Sequence, residues 1–99
     1  MIILRGVNLF PTQIEEIALA LPYLSPHFLL ELRHEGHLDR LTVRIEPDAD
    51  ASPGAVADAC ARLQREIKAR IGSTVDVEAA TVGSLPRSEG KLKRLVDLR

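Results

Sequence analysis

Hydrophobic and polar positions change their period several times along the chain, and each change marks an element. Met1 to Val7 is a short apolar run without polar alternation, which predicts a strand buried on both faces at the centre of a sheet, broken by Gly6 and Asn8. Thr12-Gln13-Ile14-Glu15 has the form of a capping box with Pro11 just ahead, so a helix is predicted to begin there. Ile14, Ile17, Ala18 and Leu21 recur at helical spacing on one face, Glu15 and Glu16 complement the helix N-terminus, and Pro22 ends the element.

The period then falls to two. Phe28, Leu30 and Leu32 alternate with Leu29, Glu31 and Arg33, and after a turn at His34-Glu35-Gly36-His37 the residues Leu41, Val43 and Ile45 alternate with Thr42, Arg44 and Glu46 up to Pro47. This predicts an antiparallel hairpin with the aliphatic set inward. Ser52-Pro53 reads as an N-cap followed by proline at the first helical position, Val56, Cys60, Leu63, Ile67 and Ile71 as the buried stripe of a long helix, and Gly72 as its stop. A last alternating stretch from Thr74 to Thr81 predicts a further strand. The order is that of an α+β, ferredoxin-like βαββαβ fold, an antiparallel sheet with two helices on one face. The loop Ser84–Lys91 and a tail from Leu92 to Arg99 follow as an appendage, the tail too short for its state to be assigned.

Composition narrows the class. A chain of 99 residues is one domain with one core, and it is 45% hydrophobic and 27% charged, as ordinary globular proteins are. With two Phe, one Tyr and no Trp the core must be aliphatic. Thirteen Lys and Arg against 14 Asp and Glu create no whole-molecule field toward nucleic acid or a membrane surface, so any anion site must be local. Cys60 alone excludes an internal disulfide and fits a reducing compartment; neither a signal peptide nor a membrane span is read at the N-terminus, so the expectation is cytoplasmic.

Candidate chemistry is sparse. In Ser84-Leu85-Pro86-Arg87-Ser88-Glu89-Gly90-Lys91, proline and glycine stop regular structure around polar residues and leave a lysine at the end of an exposed loop, open both to an anion contact and to a solvated turn. It is not a P-loop, because Leu85 and Leu92 stand where that motif needs glycine and Ser or Thr. Arg5-Gly6-Val7-Asn8 is read either as the turn joining strand to helix or as a place where the missing side chain of Gly6 lets a ligand approach the backbone. His34 and His37 near Glu35 and Asp39 lack further ligands for a tetrahedral metal set, so no metal site is expected; Cys60 among aliphatics reads as packing. Glu15 and Glu16 diverge on a helix and cannot act as a paired acid and base. An RNA-binding sheet face would need stacking aromatics, and Leu29, Glu31, Arg33, Thr42, Arg44, Glu46, Asp76 and Glu78 supply none.

Three segments taken together resemble the C-terminal domain of the phenylacetate–coenzyme A ligases, a branch of the adenylate-forming acyl/aryl-CoA synthetases. They are Met1-Ile2-Ile3-Leu4-Arg5-Gly6-Val7-Asn8-Leu9-Phe10-Pro11 leading into Gln13-Ile14-Glu15, then Glu35-Gly36-His37-Leu38-Asp39, and Ser84 to Lys91 with Lys93-Arg94, in the family's order and spacing. The resemblance implies a small, mobile C-terminal lid domain over residues 1–99 whose partner is the N-terminal domain of the same ligase. That partner would hold ATP with its Mg2+ and the aryl acid, in a two-step reaction through an acyl-adenylate to a coenzyme A thioester. It implies that Lys91 serves adenylate formation, that Pro86, Arg87, Ser88 and Gly90 position it, and that Arg5, Gly6 and Asn8 line the CoA channel.

The N-terminal domain and the hinge are absent from the sequence, so the chain alone is expected to be inactive and to bind neither ATP nor CoA by itself. Neither nucleic acid nor a membrane is an expected partner, and self-association is left open. The alternative is a free-standing regulatory module of the ACT type, which shares the strand and helix order and would use Gly6 to Asn8 as its ligand turn.

Overall fold

A computed structural model gives the fold and describes residues 2–85 and 95–97. The chain opens with a short hairpin, β1 (Ile2–Leu4) and β2 (Val7–Leu9), paired antiparallel from Ile2↔Leu9 to Leu4↔Val7. Arg5 and Gly6 make the reversal with φ of 49° and 83°. Positive φ at both central residues is the requirement of a type I′ turn, whose twist matches that of the strands it joins.

The first segment is therefore not the central strand that its apolar run predicted. The turn reverses the chain after Leu4, and β1 and β2 make a two-stranded sheet of their own. The apolar residues still reach the core from there: Leu4 and Leu9 are fully buried, and Ile2 nearly so.

Helix α1 (Pro11–Leu19) begins earlier than the predicted capping box. Phe10 is the N-cap, Pro11 supplies the first helical residue, and the Phe10 N–H donates to Gln13 Oε1 at 2.9 Å. Ile14, Ile17, Ala18 and Leu21 are buried, as their spacing required. The long hairpin β3 (Leu24–Glu35) and β4 (Leu38–Pro47) carries the predicted alternation, with Phe28, Leu30, Leu32, Leu41, Val43 and Ile45 all buried. Helix α2 (Pro53–Ile71) starts at the expected cap, where Ser52 Oγ accepts the Ala55 N–H at 3.2 Å, and stops at Gly72 with φ of 91°. Its buried stripe is Ala59, Leu63 and Ile67, while Val56, Cys60 and Ile71 sit half-buried at its edge.

Strands β5 (Asp76–Ala79) and β6 (Leu95–Asp97) complete a four-stranded sheet ordered β5-β4-β3-β6. The α+β class with two helices stands, and what differs is the arrangement of strands. The β3–β4 pair is antiparallel, while β4 pairs parallel with β5 and β3 parallel with β6, so the sheet is mixed. Since β4 and β5 pair directly, from Thr42↔Asp76 to Ile45↔Ala79, no strand from the start of the chain lies between them. The tail is not an appendage either, for β6 supplies an edge of the sheet beside Leu30–Leu32 of β3.

Helix α1 packs on β3, α2 on β5, and the helices touch each other, so one aliphatic core joins the short hairpin, both helices and the inner face of the sheet. Burying such side chains, at about 25 cal/mol per Å² of apolar surface, is the main favourable term in holding these elements together. Among the described residues no helix is long and apolar enough to cross a membrane.

Candidate functional site

The structure brings two of the three sequence segments singled out above to one place. The Arg5 end of the short hairpin and the Glu35–Leu38 end of the long one border a cleft of about 300 Å³, together with Arg40, Thr74 and Asp76. Within it the Arg40 guanidinium is held by two carboxylates. It donates to Glu35 Oε2 at 2.7 Å and to both carboxylate oxygens of Asp76 at 2.8 and 3.0 Å. The hydrogen bonds it donates, first to Glu35 and then to Asp76, hold its pKa above the ordinary arginine value.

Arg5 is different. Its guanidinium donates to the backbone carbonyl of Thr74, and among the described residues no carboxylate lies within ion-pair distance of it. Its backbone sits at φ 49°, a left-handed conformation that costs a non-glycine residue roughly 1–2 kcal/mol. Strain of this kind persists where surrounding structure enforces it and is concentrated at functional positions. Gly6 needs its own positive φ, but a Cβ there would meet nothing within 4 Å. Within the domain the glycine thus serves the turn rather than a close contact. Asn8 lies exposed on β2, opposite Ile3.

The Ser84–Lys91 loop is described only at its start. Pro86, Arg87, Ser88, Gly90 and Lys91 lie outside the described residues. Its base is fixed by a residue that sequence reasoning placed on the open sheet face: Glu46 is only 1% exposed. Its two carboxylate oxygens accept the Gly83 N–H at 2.7 Å and the Leu85 N–H at 3.0 Å. The available signal was a glutamate immediately before the strand-ending Pro47, together with the turn-forming pair Gly83-Ser84, but nothing local joins the two.

His34 Nδ1 lies 2.8 Å from Asp39 Oδ1, directly across the hairpin, and the described residues hold no group of three or more His, Cys, Asp or Glu placed for a metal. Burial pushes the Cys60 thiol pKa up, which is the opposite of what an activated nucleophile requires. On the outer sheet face Glu31 stands 3.5 Å from Arg33 and 3.7 Å from Arg44, a paired strip of charge. The ACT-type alternative needs its ligand turn between the first strand and the first helix; here Gly6 joins two strands, and the chain enters α1 through Phe10.

A family model described as the AMP-binding enzyme C-terminal domain matches residues 6–99. The chain belongs to that family. As an AMP-binding enzyme C-terminal domain it is 42% identical over 102 residues to the phenylacetate-coenzyme A ligase of Escherichia coli (strain K12), with 100% of this chain and 23% of that ligase covered. A crystal structure of a domain of the phenylacetate-coenzyme A ligase from Bacteroides vulgatus ATCC 8482 is similar at a TM-score of 0.88 and 35% identity, covering 100% of this chain and 92% of that one. The 2-hydroxyisobutyryl-CoA ligase, solved in complex with 2-HIB-AMP and CoA in the thioesterification state, has the same fold at a TM-score of 0.86 and 22% identity, covering 95% of this chain and 20% of that one. The chain thus spans about a quarter of the length of the curated relative and corresponds to its C-terminal part.

Proposed function

We propose that this AMP-binding enzyme C-terminal domain is the mobile part of an AMP-forming aryl-acid CoA ligase of the phenylacetate type, joined to an N-terminal domain that holds ATP with its Mg2+ and the acid. The carboxylate oxygen of the acid attacks the α-phosphorus of ATP and pyrophosphate leaves. The thiol of CoA then gives up its proton and attacks the acyl carbon of the adenylate, and AMP leaves. Lys91 brings its ammonium to the first step, where negative charge gathers on the reacting oxygens. A cation or donor placed there is worth on the order of 3–4 kcal/mol of barrier. Arg5, Gly6 and Asn8 border the passage through which CoA reaches the adenylate. Without its partner domain the chain has no catalysis to perform.

The observation that carries this reading is the Arg5–Gly6 turn. A strained arginine tethered by a carbonyl, with no carboxylate partner among the described residues and beside an arginine already paired with two carboxylates, suits an anionic ligand such as a CoA phosphate. The match to the family of AMP-binding enzyme C-terminal domains supports reading that anion as CoA.

The two steps separate the two sites experimentally. In the ligase carrying this domain, Lys91→Ala should lower ATP–pyrophosphate exchange by about 10²–10³-fold, the scale of one lost transition-state contact, and leave thioester formation from supplied acyl-adenylate largely intact. Gly6→Val should do the reverse. Equal loss of both steps in Lys91→Ala, or unchanged CoA dependence in Gly6→Val, would overturn the corresponding assignment.

A further inference from the structure

We propose that Glu46 is the positioning residue of the lysine loop: its carboxylate clamps the backbone at Gly83 and Leu85 and so fixes where the chain sets out toward Lys91. This rests on the reading of Lys91 as the adenylation lysine.

Three anchors converge on one corner of the sheet, the end of β4. The Ala80 N–H donates to the Ile45 carbonyl at 2.8 Å, continuing the β4–β5 ladder by one residue. The next residue of β4, Glu46, then takes the Gly83 and Leu85 amides, one on each oxygen. Between these anchors the chain turns back on itself, with the Ser84 N–H donating to the Thr81 carbonyl at 3.0 Å and the Ser84 hydroxyl donating to the same oxygen. Gly83, at φ 83°, allows that reversal, and the Leu85 side chain is buried. Pro86 further restricts Leu85 to extended conformations.

The chemistry of the clamp is specific to a carboxylate. Two main-chain N–H groups that converge from either side of one residue make a small anion-binding concavity. A buried carboxylate needs such donors, and N–H groups bonded to an ionised acceptor are held more firmly than those bonded to a neutral one. A neutral glutamine of the same shape offers one acceptor oxygen, and its NH2 would face the remaining amide. Glu46 acts through the loop base rather than on a reacting atom. Catalytic geometry is sensitive at this scale, since a displacement of about 1 Å can cost about 10²-fold in rate.

The experiment compares Glu46→Gln and Glu46→Ala with Lys91→Ala in the ligase carrying this domain. ATP–pyrophosphate exchange, thioester formation from supplied acyl-adenylate, and amide hydrogen exchange at Gly83 and Leu85 are measured on each. Glu46→Gln should speed exchange at both amides by about tenfold or more and slow adenylate formation by about 10- to 100-fold, with the thioester step changed less than about twofold. Glu46→Ala should do the same more strongly; if it fails to fold, Glu46→Gln decides alone. Unchanged amide exchange in Glu46→Gln overturns the clamp. Faster amide exchange with both half-reactions unaffected, or slowed equally, overturns the positioning role. If Lys91→Ala leaves adenylation intact, the reading of Lys91 and the positioning role both fall, and amide exchange alone decides whether Glu46 holds the turn.

Discussion

The two hairpins reverse the chain with turns of the same length and opposite glycine placement. The long one closes between Glu35 and Leu38 on Gly36 and His37, with positive φ, 65°, at the glycine that comes first. The short one closes between Leu4 and Val7 on Arg5 and Gly6, with positive φ at both. The first turn puts its single left-handed residue where glycine carries it cheaply. The second spends a left-handed conformation on an arginine and points that residue at a cleft. One turn keeps its left-handed residue a glycine; the other holds an arginine in that conformation at the rim of the cleft, and on the proposed function it does so to present a charge.

Mutations can sharpen this contrast, beginning with the largest effect. Leu30→Ala removes a fully buried side chain from the middle of the long hairpin and should destabilise the fold by about 2–5 kcal/mol in urea titrations. A loss below about 1 kcal/mol would mean that β3 is not the spine of the core. Next, Gly36→Ala and Gly6→Ala impose the same penalty at the two turns, since space for a Cβ is open at both and only φ opposes it. Each should cost roughly 1–2 kcal/mol by thermal unfolding, but only Gly6→Ala should raise the KM for CoA in the ligase. Equal effects on CoA would erase the functional distinction between the turns.

The smallest stability change is expected for Arg5→Asn. Asparagine tolerates the left-handed region, so relief of strain offsets the lost hydrogen bond to Thr74, and stability should shift by less than about 1 kcal/mol. The KM for CoA should nonetheless rise several-fold and lose part of its salt dependence. If stability falls steeply while CoA binding holds, Arg5 is a structural strut.

What could be read from the sequence follows the same division. Leu30 and Val43 lie in strands long enough to show alternation, and Ser52-Pro53 and Gly72 lie at helix ends whose chemistry is local, so β3, β4 and α2 were legible. Ile2–Leu4 and Leu95–Asp97 span three residues each, too few to display a period, and their pairing depends on partners that local pattern does not name. Cys60 was assigned correctly to packing but to the wrong part of the stripe, because the core runs along Ala59, a small residue with a weak apolar signal. At the candidate site, Arg5 and Gly6 stood out as unusual neighbours, while Thr74 and Asp76, which complete the cleft, are far off in sequence. Glu46 was misplaced for the same reason: strand alternation sends it outward, and the segment that covers it arrives 37 residues later.

Strand β6 also decides where the sheet ends. Its pairing joins Leu30 to Leu95 and Leu32 to Asp97, partners far apart in sequence, so this side of β3 is closed by the most distant part of the described chain. The entropic cost of bringing such partners together grows only with the logarithm of the chain length between them, so the separation costs little in stability. Deleting the residues of β6 would leave the backbone N–H and C=O groups of β3 along Leu30–Leu32 as a bare sheet edge, a template for pairing with another chain and hence for aggregation.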